Sequence, residues 1–219
     1  MIKNIIFDFD GVIADSEILV ARAFSNYLKN LNITFSEQEF SNYAGNKTYQ
    51  VIDELSEKFK IKDTKKFFDD IMYIAKDIYS TDLKPVNGAK IFLENNTKNF
   101  FIGSNSVKDK ILLGLKKIQL EKFFSEDKIF AADLVKNPKP HPDIYLKAIN
   151  THDLNKDETI IIEDSEVGIR AGVAAGIKVI ALTAGQHWYE DRSKKELIEA
   201  GALCSLESYD QLMDKIDSL

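Results

Sequence analysis

Apolar residues follow two rhythms along this chain. Short β-like runs occur at residues 4–7, 100–103, 129–131, 159–162 and 178–182. Four of the five are nearly all apolar, as strands covered on both faces should be. Helical patterns lie between them, and that alternation predicts a parallel, doubly wound α/β sheet. From residue 15 to residue 80 the rhythm is helical throughout. Ile18, Leu19, Ala23, Phe24, Tyr27, Leu28 and Leu31 recur at helical spacing, followed by Val51, Ile52, Leu55 and Phe59, then Phe67, Phe68, Ile71, Met72, Ala75 and Ile78. With no strand among them, this stretch reads as a separate helical cap inserted after the first strand. Residues 12–16 lead out to it and residues 81–86 lead back, stiffened by Pro85. The expected organisation is a Rossmann-like α/β core of residues 1–14 and 82–219, with a helical cap of residues 15–81.

Composition narrows the class. The 219 residues suit a core plus a small second domain, and 44% hydrophobic against 29% charged residues is an ordinary balance for a packed globular protein. The net charge is -6 and the lysines are scattered among acids, which argues against nucleic acid as a partner. A single cysteine, Cys204, excludes an internal disulfide and a thiolate metal cluster. Asp8 and Asp10 break the first apolar run too early for a signal peptide, and no run is long enough to span a membrane. A cytoplasmic monomer without membrane contact is expected.

Ligands of open α/β sheets bind beyond the carboxyl ends of the strands. After the first strand stand Asp8, Asp10 and Gly11; after the second, Ser104 and Asn105; after the fourth, Glu163 and Asp164. Between the third and fourth lies NPKPHP, with Lys139 between Pro138 and Pro140. Carboxylates gathered at one edge repel one another unless a cation sits among them, and hard oxygen ligands of this kind suit Mg²⁺. Lys139 and Ser104 offer a charge and a hydroxyl for phosphate oxygens. One Asp can then attack phosphorus while the other moves protons. Singly, each piece has a plainer meaning: an Asp pair opens loops, Ser104 turns a chain, NPKPHP stiffens a linker, and Asp164-Ser165 caps a helix. Gly168 and Gly172, one turn apart, suit close packing of that helix on the sheet. The order and placement of the pieces together favour chemistry.

These residues resemble the haloacid dehalogenase-like hydrolase superfamily, in the branch with a helical cap after the first strand. DFDGVIADSE is similar to its first motif, Ser104 to the second, Lys139 of KPHPDIY to the third, and EDS at 163–165 to the fourth. The resemblance implies Asp8 as nucleophile and Asp10 as acid and base, with Ser104 and Lys139 holding the phosphoryl group. It implies Mg²⁺ on the Asp8 carboxylate, the Asp10 carbonyl and Asp164, with Glu163 in the ligand set or just behind it. Gly11, Asn105, Gly45 and Lys47 would contact a small phosphorylated metabolite. Asp10 argues against a dehalogenase. Lys47 leaves open a phosphonatase, which takes its Schiff-base lysine from the cap; it also reads as a solvated surface lysine. The chain resembles sugar-phosphate phosphatases, including those acting on phosphogluconate-type compounds, and β-phosphoglucomutase-like proteins. Gly45-Asn46-Lys47-Thr48 lacks the Ser-Arg pair of the mutases, and Val107 follows Ser106 where mutases place a basic residue. A phosphatase is therefore expected, with the phosphosugar isomerase as alternative. A signalling receiver domain shares carboxylates, hydroxyl and lysine but is shorter and has no helical insertion.

Overall fold

The computed structural model of the chain describes residues 1–40, 43, 48–189 and 192–219. Six strands form one parallel sheet in the order β3-β2-β1-β4-β5-β6: β1 (Asn4–Phe7), β2 (Asn99–Ser104), β3 (Ile129–Ala131), β4 (Thr159–Glu163), β5 (Lys178–Leu182) and β6 (Ser205–Leu206). Five of them coincide with the apolar runs to within a residue at either end. Successive residues Ile5 and Ile6, and Ile160 to Ile162, have no exposed surface, so both faces of the sheet are covered. Burying each such side chain contributes about 1.5–3 kcal/mol. The Phe7 ring meets Phe92 and Phe124 edge-on, at 6.0 and 6.4 Å, and Phe100 at 5.9 Å.

Two compact units divide the chain. The first comprises Met1–Asp15, Lys84–Gly185 and Ser193–Leu219. It holds the sheet with α5 (Ala89–Glu94), α6 (Lys108–Lys117), α7 (Asp143–His152), α8 (Glu166–Ala174), α9 (Lys195–Glu199) and α10 (Tyr209–Asp217). The strand order turns back between β1, which pairs with β2 on one side, and β4 on the other. The stretches leading out of β1 and back toward α5 run side by side: the Asp15 N–H donates to the Lys84 carbonyl at 3.0 Å and the Val86 N–H to the Ile13 carbonyl at 2.9 Å.

The second unit comprises Ser16–Leu83 and Gln186–Arg192. It contains α1 (Glu17–Asn30), α2 (Glu37–Phe40), α3 (Thr48–Phe59) and α4 (Thr64–Asp82). Its core is aromatic: Phe24 lies 4.7 Å from Phe40 and 5.9 Å from Phe67, and Tyr27 stacks on Phe67 at 4.7 Å. Ser36 and Glu39 form a capping box, each side chain bonding the other's main-chain N–H. Asp63 caps α4 by accepting from the Lys66 N–H. Leu31 and Met72, placed in the apolar rhythm by spacing, are exposed. Leu31 falls just past the end of α1, where the helical face no longer applies. Helix α4 takes in Thr81 and Asp82, so the return segment starts later than the apolar pattern implies. The segment 186–192, which spacing alone leaves in the core, groups with the helices; Tyr189 lies close enough to feel the charges of Glu37 and Arg22.

Candidate active site

Strand β1 ends as its ladder with β4 makes one more bond, from the Asp8 N–H to the Ile162 carbonyl at 2.8 Å. This pins Asp8 at the carboxyl edge of the sheet, beside the point where strand order reverses. The chain then folds tightly. Ile13 and Ala14 donate to the Phe9 carbonyl, and Gly11 donates to Ala14 at 2.7 Å. Gly11 adopts φ of 79°, a left-handed conformation open to glycine without strain. The Gly11 N–H thereby closes the turn that presents Asp10.

Lys139 reaches this edge from the proline-flanked loop. Its ammonium lies 2.6 Å from Asp8 Oδ1 and 2.6 Å from Glu163 Oε1, with 3% of the side chain exposed. Asn105 holds the main chain behind it, accepting from the Lys139 N–H at 2.9 Å and donating to its carbonyl at 3.1 Å. The Asn105 oxygen and one of its amide protons are both engaged by this backbone. Asn137 ties the loop to the start of α7 through Asp143 Oδ2.

Glu163 is fully buried, and five donors cover it. Oε1 accepts from Lys139 and, at 3.0 Å, from the Tyr145 hydroxyl. Oε2 accepts from the main-chain N–H of Asp164 and Ser165 and from the Ser165 hydroxyl, at 2.9–3.1 Å. Ser165 also caps α8, accepting from the Gly168 N–H. Glu163 thus serves Lys139, Tyr145 and the cap of α8 at once, and it also belongs to the carboxylate group that could hold a metal ion. Ser104, at the end of β2, is 1% exposed, and its hydroxyl accepts from the Ser106 N–H at 3.1 Å. Asp10 is held by Ser106, whose hydroxyl donates to Oδ2, and by Lys110, whose ammonium lies 2.9 Å from Oδ1.

The charges explain what such a site can hold. Asp8, Glu163 and Asp164 are all buried, with ligand oxygens within 4.8 Å of one another. Burial pushes the Asp8 carboxyl well above the usual carboxylate range; Lys139 opposes this, while Glu163, Asp164 and Asp10 add to it. Burial alone would favour neutral Lys139, but Asp8 and Glu163 override it and keep the ammonium charged. Four carboxylates thus face two ammonium groups, and a divalent cation with oxygen ligands would restore the balance. The donor set fits Mg²⁺.

Asp8, Asp10, Ser104, Lys139, Glu163 and Asp164 all stand at the carboxyl ends of the strands or in the loop beside them. Gly45 and Lys47 lie outside the described residues. Ser106, Lys110 and Tyr145 carry no role in the sequence reading, although Tyr145 closes the KPHPDIY stretch and Ser106 and Lys110 share the four-residue spacing of a helix face. His141 belongs to the loop, and His152 packs on Phe101 and Phe130.

Many known proteins are similar to this chain. A 6-phosphogluconate phosphatase of Escherichia coli K12 is 27% identical over 189 residues, covering 85% of each chain. A phosphorylated carbohydrates phosphatase of Thermotoga maritima is 29% identical over 205 residues, covering 92% of each. A crystal structure of a conserved haloacid dehalogenase-like protein of unknown function from Agrobacterium tumefaciens superposes with a TM-score of 0.90 at 29% identity, covering 100% of this chain and 99% of that one. The family model for haloacid dehalogenase-like hydrolases matches residues 5–182, from the first strand through the fifth, and the chain belongs to that family.

Proposed function

We propose that the protein is a Mg²⁺-dependent phosphatase that hydrolyses a small phosphorylated metabolite, of the sugar phosphate or phosphogluconate type, through an aspartyl-phosphate. The observation that carries this reading is the buried set of Asp8, Lys139 and Asp164 at the carboxyl edge of the sheet. The relatives named for phosphatases of 6-phosphogluconate and of phosphorylated carbohydrates support it.

An Asp8 carboxylate oxygen attacks phosphorus, and the bond from phosphorus to the ester oxygen breaks. Asp10 gives the leaving oxygen a proton. Water then loses a proton to Asp10 and attacks the same phosphorus; the bond to Asp8 breaks and orthophosphate leaves. The Lys139 ammonium and the Ser104 hydroxyl hold phosphoryl oxygens through both steps. Ser106 and Lys110 keep Asp10 turned toward the leaving group. Asp8, Asp164 and the Asp10 carbonyl would hold Mg²⁺, which neutralises charge on the phosphoryl oxygens when bound. Gly45 and Lys47 are the proposed contacts to the rest of the substrate. The protein acts as a cytoplasmic monomer in this reading, and none of the described helices is long and apolar enough to cross a membrane.

The test is orthophosphate release, with Mg²⁺, from 6-phosphogluconate, hexose phosphates, phosphoglycolate and β-glucose 1-phosphate. Release is expected from at least one ester and is lost in Asp8→Asn. Conversion of β-glucose 1-phosphate to glucose 6-phosphate without release would replace the phosphatase with the phosphosugar isomerase.

A further inference from the structure

Two glycines in different elements clear space for one buried pair of side chains. A Cβ on Gly103, in β2, would lie 2.9 Å from the Tyr145 ring. A Cβ on Gly168, in α8, would lie 1.6 Å from Glu163 Oε1. The ring and the carboxylate that occupy these spaces are bonded to each other, the Tyr145 hydroxyl donating to Glu163 Oε1 at 3.0 Å. Tyr145 and Glu163 have no exposed surface. The same Glu163 oxygen also accepts from Lys139, whose ammonium stands 5.0 Å above the centre of the Tyr145 ring.

The Tyr145 hydroxyl has a specific consequence for Lys139. An ammonium between two carboxylates is drawn to whichever is the less satisfied. Three donors on Oε2 and the phenol on Oε1 meet most of the demand of Glu163. Lys139 then keeps its approach to Asp8, 2.6 Å away, where the phosphoryl group would be transferred. Without the phenol, Glu163 takes a larger share of Lys139, and the ammonium moves toward α8 and away from the reacting oxygens.

We propose that Tyr145 is a positioning residue for phosphoryl transfer, which sets the place of the Lys139 ammonium through Glu163, in pockets cleared by Gly103 and Gly168. This rests on the phosphatase reading above. The hydroxyl does not reach substrate; it acts through two side chains in series.

The experiment is a double-mutant cycle of Tyr145→Phe with Glu163→Gln, in the full chain with Mg²⁺ and the best ester of the panel. Tyr145→Phe keeps the ring and removes only the hydroxyl. It is expected to lower kcat about tenfold and to weaken inhibition by orthophosphate by a similar factor, with the melting temperature within a few degrees of wild type. In the Glu163→Gln background the same change is expected to alter either quantity less than about twofold. Should Glu163→Gln not fold, Lys139→Arg serves as the second background with the same expectation. Equal losses in both backgrounds, or full activity in Tyr145→Phe, would overturn the positioning role and leave the phosphatase standing. Wild-type protein that releases no phosphate from any ester would overturn both.

Discussion

Asn105 and Lys139 hold one another by a two-way bond: the Asn105 amide accepts from the Lys139 N–H at 2.9 Å and donates to its carbonyl at 3.1 Å. A flexible lysine gains a fixed origin in this way, independent of where its ammonium binds. Asn105→Ala removes both bonds and is expected to lower stability by about 1–3 kcal/mol. Asn105→Asp keeps the acceptor and should lose less. Urea denaturation alongside kinetics checks this; turnover should fall with the clamp, in the same order of variants.

Gly168→Ala places a methyl group into the Glu163 carboxylate. Overpacking of this kind costs about 1–3 kcal/mol, and the displaced carboxylate carries Lys139 with it. Gly172→Ala is the control, because its Cβ would press first on the apolar side chains of Val179 and Ile161 on the sheet, at 2.6 and 2.9 Å. Both variants should melt earlier than wild type. Only Gly168→Ala should also lose about a hundredfold or more in kcat/KM when assayed below its melting transition.

Tyr209→Phe tests the turn that presents Asp10. The buried phenol donates to the Val12 carbonyl at 2.7 Å, and burial pushes its ionisation far above the ordinary tyrosine range. Removing it leaves a buried carbonyl unsatisfied, at about 1–3 kcal/mol. Denaturant midpoints should fall by that amount, with a smaller change in turnover than Asn105→Ala produces.

Mg²⁺ should raise the melting temperature of the wild-type protein, because it binds the folded carboxylate cluster and not the unfolded chain. At a hundred times its dissociation constant the stabilisation is about 2.7 kcal/mol. Asp164→Asn should shrink the shift, and a chelator should abolish both the shift and phosphate release. An equal shift in wild type and Asp164→Asn would place the ion elsewhere.

The sheet was legible because its strands are buried on both faces and read as apolar runs. Strand β6 was not, since two half-buried residues, Ser205 and Leu206, carry no pattern. Asp8, Ser104, Lys139 and Asp164 were legible because each directly follows a strand or sits among prolines. The supporting residues were not. Tyr145 and Glu163 are 18 residues apart and Ser106 and Asp10 are 96 apart, so no local spacing announces either pair. Gly168 reads as a packing glycine, and what it packs against is a carboxylate, which spacing cannot tell. The grouping of 186–192 with helices far earlier in the chain is likewise a matter of tertiary contact.

The paired stretches around Ala14 and Pro85 have a consequence for how such a protein can change over time. The ends of the helical insertion are already held at hydrogen-bond distance by the sheet unit's own backbone. Closing a loop whose ends are fixed depends only weakly on its length, at about 0.6 kcal/mol per doubling. The segment between them can lengthen, shorten or be exchanged with little penalty to the sheet that carries Asp8 and Lys139. Evolution and protein engineers can therefore treat the junction as a socket, renewing what is plugged into it while the chemistry of the sheet unit stays as it is.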